Sequence, residues 1–125
     1  MFKSLYSSYL RRMEWVRSMR FYRKRDYSTF LEMIKGIEEQ NALTPYQRAV
    51  KANALLLSGE YKQALALFSL LTGVDDSTND IDYIKLYARA MIADVNGDTD
   101  TFGRIASSAS SLPCRSIVRR NLPLA

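Results

Sequence analysis

A chain of 125 residues, 47% of them hydrophobic, can bury one compact core and is too short for two conventional domains. It has no histidine and one cysteine, Cys114, which excludes an intramolecular disulfide and removes the commonest metal ligand and proton shuttle; no apolar run approaches the roughly 18 residues of a bilayer span, so a soluble, cytoplasmic protein without metal or cofactor is expected. The net charge of +5 is uneven: residues 1–25 carry eight basic residues against Glu14 alone, residues 73–102 carry two against seven acids, and residues 103–125 carry four and no acid.

The first predicted element is a basic helix over residues 2–25. Phe2, Leu5, Tyr6, Tyr9, Met13 and Val16 share one stripe on a helical wheel, but the same stripe then meets Arg20, Arg23 and Lys24. Trp15, Met19 and Tyr22 lie on a different side. The stripe therefore needs a cover of its own, either the body of the protein or a second copy of the chain, and a homodimer through it is one expectation. The basic face, Arg11, Arg17, Arg20, Arg23, Lys24 and Arg25, interleaved with tyrosines and Trp15, also suits an anionic surface, either nucleic acid or membrane. Its serine- and arginine-rich, acid-poor composition matches a transit peptide as well, although Trp15 to Tyr27 are needed to complete a first hairpin.

Asp26 is placed to cap a second helix carrying Phe30, Ile34 and Ile37, which ends at Asn41. Thr44-Pro45-Tyr46-Gln47 reads as a capping box with proline in the first helical position, starting a third helix that runs to about Ser58. Gly59 supplies the stop. From Tyr61, Leu65, Phe68 and Leu71 recur at helical spacing and carry a fourth helix to Thr72-Gly73; Tyr61, Leu65 and Phe68 are core by spacing alone. Gly73 to Asp80 is polar and reads as the longest internal loop. Ile84, Tyr87, Ala88 and Met91 then share a face, Gly97 breaks the helix, and Phe102, Ile105 and Ala109 begin another. Pro113 opens a last short helix, on which Cys114, Ile117 and Val118 would face the preceding hairpin while Arg115, Arg119 and Arg120 face water.

Three turns are related. Arg25-Asp26-Tyr27 precedes Gly59-Glu60-Tyr61 by 34 residues, and Asn96-Gly97-Asp98 follows Ser58-Gly59-Glu60 by 38. A repeat of that period means a helical solenoid. The expected fold is all-α: an N-terminal extension (1–10), three helical hairpins (11–43, 44–79 and 80–112) and a capping helix (113–125), about seven helices stacked as a short superhelix in one domain.

Two apparent sites dissolve on inspection. Asp94-Val95-Asn96-Gly97-Asp98-Thr99-Asp100 lacks the glycine after the third acid and the terminal glutamate of a calcium loop, where Thr99 and Ile105 stand instead; Asp98 reads as a helix cap. Glu38-Glu39 and Asp75-Asp76 are adjacent and point apart on a helix or lie in a loop. Without histidine or a phosphate-cradling loop, Cys114 reads as a packing thiol and the chain as non-catalytic.

The central pattern, Ala52, Leu55, Gly59, Tyr61, Ala64 and Phe68, resembles the tetratricopeptide repeat family, whose small and large packing residues fall at these places. Phe21, Tyr27 and Ile34 continue the resemblance in the first unit, with Ser18 for the small residue and Phe30 for alanine. Ala90, Gly97, Ala106 and Ala109 continue it in the third, with Thr99 for tyrosine and Phe102 for alanine. The likeness covers about residues 11–112. It implies a binding groove lined by the first helix of each unit: Arg12, Trp15, Met19 and Tyr22; Tyr46, Ala49, Asn53 and Leu56; Ile84, Tyr87, Met91 and Asp94. Such a groove suits an apolar or amphipathic peptide segment of a partner protein, unless neighbouring side chains bury its members. Family members that clamp an acidic C-terminus place lysines on this face. Asn53 fits their pattern, but Ala49 and Tyr87 stand where a cation is wanted, so that specificity is not implied.

Overall fold

Arg25, Gly59 and Gly97 share one left-handed backbone conformation, with φ of 64°, 91° and 75°. Each is followed by a residue of nearly constant geometry in the N-cap position of the next helix: φ/ψ of −88°/73° at Asp26, −85°/65° at Glu60 and −87°/82° at Asp98, of which Asp26 and Asp98 cap with their side chains. In the first and third turns the cap N–H donates to Phe21 O and Ala93 O, both at 2.9 Å, while Arg25 and Gly97 donate to Tyr22 O and Asp94 O at 3.0 and 3.1 Å. These paired bonds satisfy the last carbonyls of a helix before the chain reverses. Glycine takes the left-handed conformation without cost, whereas Arg25 takes it at about 1 kcal/mol.

The computed structural model describes residues 2–70 and 78–124, with the side chains of 2–8, 11, 78 and 79 outside the description. Among the described residues there are seven helices and no strand: α1 Phe2–Arg23, α2 Tyr27–Gln40, α3 Pro45–Leu57, α4 Tyr61–Ser69, α5 Thr78–Val95, α6 Thr99–Ser110 and α7 Ser116–Asn121. The protein is all-α. It divides into two compact units, one ending at Ser58 and the other beginning at Gly59, so the boundary falls at the turn inside the predicted hairpin 44–79.

In the first unit α2 packs against both α1 and α3. Asp26 caps α2 by accepting from Thr29 N–H at 3.2 Å, and Thr44 and Gln47 close the expected capping box of α3 with reciprocal 3.1 Å bonds. Phe30, Ile34, Ile37, Leu43 and Ala54 form the buried core, with Trp15, Met19, Phe21, Tyr22 and Tyr27 packed on it. Each large apolar side chain so buried contributes about 1.5–3 kcal/mol. Ser18, the small residue of α1, is fully buried and donates to Trp15 O at 2.6 Å.

In the second unit α5 packs against α4 and α6. Ala64 and Phe68 of α4 are buried, and Tyr61 and Leu65 half-buried. Three expected boundaries move. α4 ends at Ser69, whose hydroxyl donates back to Leu65 O at 2.8 Å, and the following Leu70 is exposed; a serine bonding its own preceding turn weakens a helix end. Leu71, Thr72 and Gly73, where the sequence carries the helix on, lie outside the described residues. The expected loop to Asp80 is shortened, because α5 starts at Thr78 and Asp80 is buried in its first turn, where an acid suits the helix dipole. α7 begins at Ser116 rather than Pro113, because the Arg115 backbone N–H donates to Asp80 Oδ1 at 3.0 Å and holds Pro113 to Arg115 out of the helix.

Candidate functional site

On the first unit, α1 and α3 bring part of the predicted groove together. The Trp15 ring meets Tyr46 edge-on at 6.4 Å and Phe30 edge-on at 6.1 Å. Such pairs add about 0.5–1.5 kcal/mol to the burial of the rings. A turn and more further along, the Asn53 amide donates to the Tyr22 hydroxyl at 2.5 Å, and Tyr22 packs on Phe30 and Tyr27 at 5.3 and 5.7 Å. Burial pushes the Tyr22 phenol above its ordinary pKa, the Asn53 hydrogen bond pulling the other way. The residue that remains open is Tyr46, with 66% of its surface exposed. Beside it lies a cleft of about 230 Å³ lined by Arg12, Trp15, Ile37, Asn41, Thr44 and Gln47. Arg12 is exposed, and among the described residues no carboxylate lies within ion-pair distance of it.

Other groove positions differ from the expectation. Leu56 keeps only 2% of its surface exposed and is a core residue: its helical spacing fixed a side of α3, not whether that side is covered. Trp15, Met19 and Tyr22 are half-buried and belong as much to the core of the first unit as to a groove. Ala49 is half-buried too. On α5, Ile84, Tyr87 and Met91 are half-buried and Asp94 is exposed. Burial raises the Tyr87 phenol pKa, and the neighbouring Tyr61 and Tyr83 add to it.

The basic face is open. Arg17, Arg20, Arg23, Lys24 and Arg25 are all exposed, and none has a carboxylate within ion-pair distance among the described residues; the Arg11 side chain lies outside the description. Of the stripe proposed to pair two copies, Tyr9 and Val16 are exposed and Met13 is half-buried, while the side chains of Phe2, Leu5 and Tyr6 lie outside the description.

The second unit holds an arrangement that no spacing rule in the sequence announces. Asp80 accepts from the Arg115 guanidinium at 2.5 Å as well as from its backbone N–H, Tyr83 donates its hydroxyl to Leu122 O at 2.7 Å, and Arg119 lies 4.9 Å over the Tyr83 ring while donating to Leu112 O. Arg115 and Arg119 therefore clasp α7 and its flanks onto α5; Arg115 and Arg120 are exposed as expected, whereas Arg119 is half-buried. Ile117, expected to pack, is 55% exposed. Burial raises the Tyr83 phenol pKa against the opposing charge of Arg119. A cleft of about 430 Å³ opens beside this clasp between Tyr83, Ala106, Ser110 and Leu124.

Asp98 caps α6, accepting from Thr101 N–H at 3.1 Å and Thr101 Oγ1 at 2.5 Å. Among the described residues no group of three or more acidic or cysteine side chains is placed to hold a metal, and no helix is long and apolar enough to cross a membrane. No family model matches the chain, and no curated protein or solved structure matches it.

Proposed function

We propose that the protein is a non-catalytic, tetratricopeptide-like interaction module, and that the α1–α3 face of its first unit receives an apolar or amphipathic peptide segment of a partner protein. The observation that carries this reading is Tyr46: a large aromatic ring, two-thirds exposed, held in place edge-on by Trp15 beside a cleft with the exposed Arg12 in its lining. A rigid aromatic next to a concavity gives contact area at little entropic cost, as binding anchors do. Arg12 can pair a carboxylate of the segment, and Asn41, Thr44 and Gln47 supply polar contacts. The sharing of Trp15 and Tyr22 with the core makes the face pre-organised, which favours binding a segment that orders on contact.

Affinity capture from the native cell with the full chain tests this, using Tyr46→Ala, which touches little of the core. Partners held by the natural chain should be lost with that variant, with affinity falling about 30-fold or more for an anchor of this kind. The captured segment, added as a synthetic peptide, should shift the emission of Trp15, the chain's single tryptophan. Capture indifferent to Tyr46→Ala would sink the reading.

A further inference from the structure

The outward side of α1 is distinct from the face just described. Ser18 is fully buried and Trp15 packs on Phe30, so these residues mark the side of α1 turned into its unit. Glu14, the only acid of the helix, sits one turn before Ser18 on that side and is half-buried. Away from it, Tyr9, Met13, Val16, Arg20 and Arg23 follow one another at alternating spacings of four and three, forming a single seam. Tyr9 is 59% exposed, and Leu10 and Val16 are exposed beside it. In the sequence the same register runs back to Tyr6 and Phe2. The seam is thus apolar in its first part and cationic in its last, with Arg17 and Lys24 along its flank.

We propose that this face docks on an anionic phospholipid bilayer, independently of the peptide face. The charge is of one sign: Arg17, Arg20, Arg23 and Lys24 are exposed without a carboxylate within ion-pair distance among the described residues, and the outward side has no acid to offset them. Two copies of the helix paired along the seam would bring flanking cations together with no acid to meet them. A nucleic acid would match the cations and leave Leu10, Met13 and Val16 uncovered. A bilayer surface satisfies both parts together: the apolar side chains enter the acyl boundary while the guanidinium groups remain among the headgroup phosphates on their aliphatic stems. Each cation held at such a surface strengthens binding about fivefold.

Co-sedimentation of the full chain with vesicles of equal parts phosphatidylcholine and phosphatidylserine, beside vesicles of phosphatidylcholine alone, tests the proposal. Binding should be confined largely to the anionic vesicles, fall with added salt, and drop on the order of 100-fold in a chain carrying R17Q, R20Q and K24Q together. Tyr9→Asp with Val16→Asp should abolish it, and since all these positions are exposed, unchanged helical circular dichroism separates lost docking from lost fold. Tyr46→Ala should leave vesicle binding as it was. Brominated lipid should quench a Val16→Trp, Trp15→Phe chain and spare Trp15 in the natural one. Equal binding to neutral vesicles, indifference to the triple substitution, or quenching of Trp15 would overturn the proposal. So would failure to bind vesicles, whether accompanied by capture of a single-stranded oligonucleotide or by a doubled mass that Tyr9→Asp and Val16→Asp abolish.

Discussion

Between Arg23 and Tyr27, and again between Val95 and Thr99, the chain makes the same turn with the same closing hydrogen bonds, yet the helices on either side are filled with side chains of opposite size. The first hairpin buries Phe30, Ile34 and Ile37 and stacks Trp15, Tyr22 and Tyr27 around them. In α5 the buried apolar residues are Tyr83 and three alanines, Ala88, Ala90 and Ala93. Small side chains let helix backbones approach, and large ones hold them apart and spread the contact. A hairpin path therefore does not dictate a core. The aromatic unit has a ring left over at its surface, Tyr46; α5 buries one large side chain, Tyr83, and a polar clasp closes over it.

Substitutions that exchange the two packing styles should have the largest effects, and in opposite volume directions. Phe30→Ala leaves a cavity in the first unit and should cost about 3–5 kcal/mol. Ala88→Leu forces volume into a fully buried position of the second and should cost about 1–3 kcal/mol. Denaturant midpoints measure both. An Ala88→Leu chain as stable as the natural one would break the contrast, because the second unit would then have room that its alanines are argued to exclude.

The two tyrosine hydroxyls sharpen the comparison at the next scale. Tyr83→Phe keeps the buried ring but deprives Leu122 O of its donor, and should cost about 1–2 kcal/mol. Tyr22→Phe frees the Asn53 amide on a half-exposed surface where water can replace the phenol, so less than about 1 kcal/mol is expected. Arg115→Ala should also cost under about 1 kcal/mol, because its side chain is 72% exposed and its backbone N–H keeps the bond to Asp80. Equal losses for the two tyrosines would mean that the clasp closes over nothing the first unit lacks.

The shared turn predicts a smaller pair of effects with opposite signs. Arg25→Gly removes the left-handed penalty and, after the entropy that glycine adds to the unfolded chain, should stabilise by up to about 0.5 kcal/mol. Gly97→Ala imposes the penalty and should destabilise by about 1 kcal/mol. Thermal midpoints of the two variants test whether the turns are equivalent in energy as they are in φ and ψ.

How far the sequence reveals all this depends on the range of the interactions. The caps at Asp26, Thr44 and Asp98 were legible because each acts on the residue three positions on, and the turns at Gly59 and Gly97 because glycine is the ordinary residue for a left-handed bend. Arg25 could be read as the same turn only from its place in the repeat. Two of the three boundaries that moved involve a distant partner: Asp80 in the first turn of α5 and Arg115 just before α7, 35 positions apart, are joined by bonds that neither local stretch announces. The site follows the same rule. Helical spacing put Trp15, Met19 and Tyr22 on one side of α1, but only the packing of Phe30 shows how much of that side is left to a partner, and Leu56 shows a side chain for which nothing is left.

The smallest expected effect separates the turns by their response to acid. Asp98 accepts from both the hydroxyl and the backbone N–H of Thr101, and these bonds, the hydroxyl first, hold its carboxyl below the usual carboxylate range against a small opposing effect of desolvation. A group whose pKa is lower folded than unfolded binds fewer protons in the native state. Its contribution is therefore complete above the unfolded carboxylate pKa and disappears as pH falls through the folded one. The Asp98 carboxyl carbon, followed by NMR, should titrate below an unstructured aspartate, and Thr101→Ala should move it back toward the ordinary value by removing the hydroxyl donor while leaving the backbone one. Asp98→Asn should remove this share of the acid dependence and retain much of the cap, since asparagine accepts the same N–H. An Asp98 titration unmoved by Thr101→Ala would mean that the hydroxyl bond does not hold in solution, and that the α5–α6 turn is capped by its backbone bond alone.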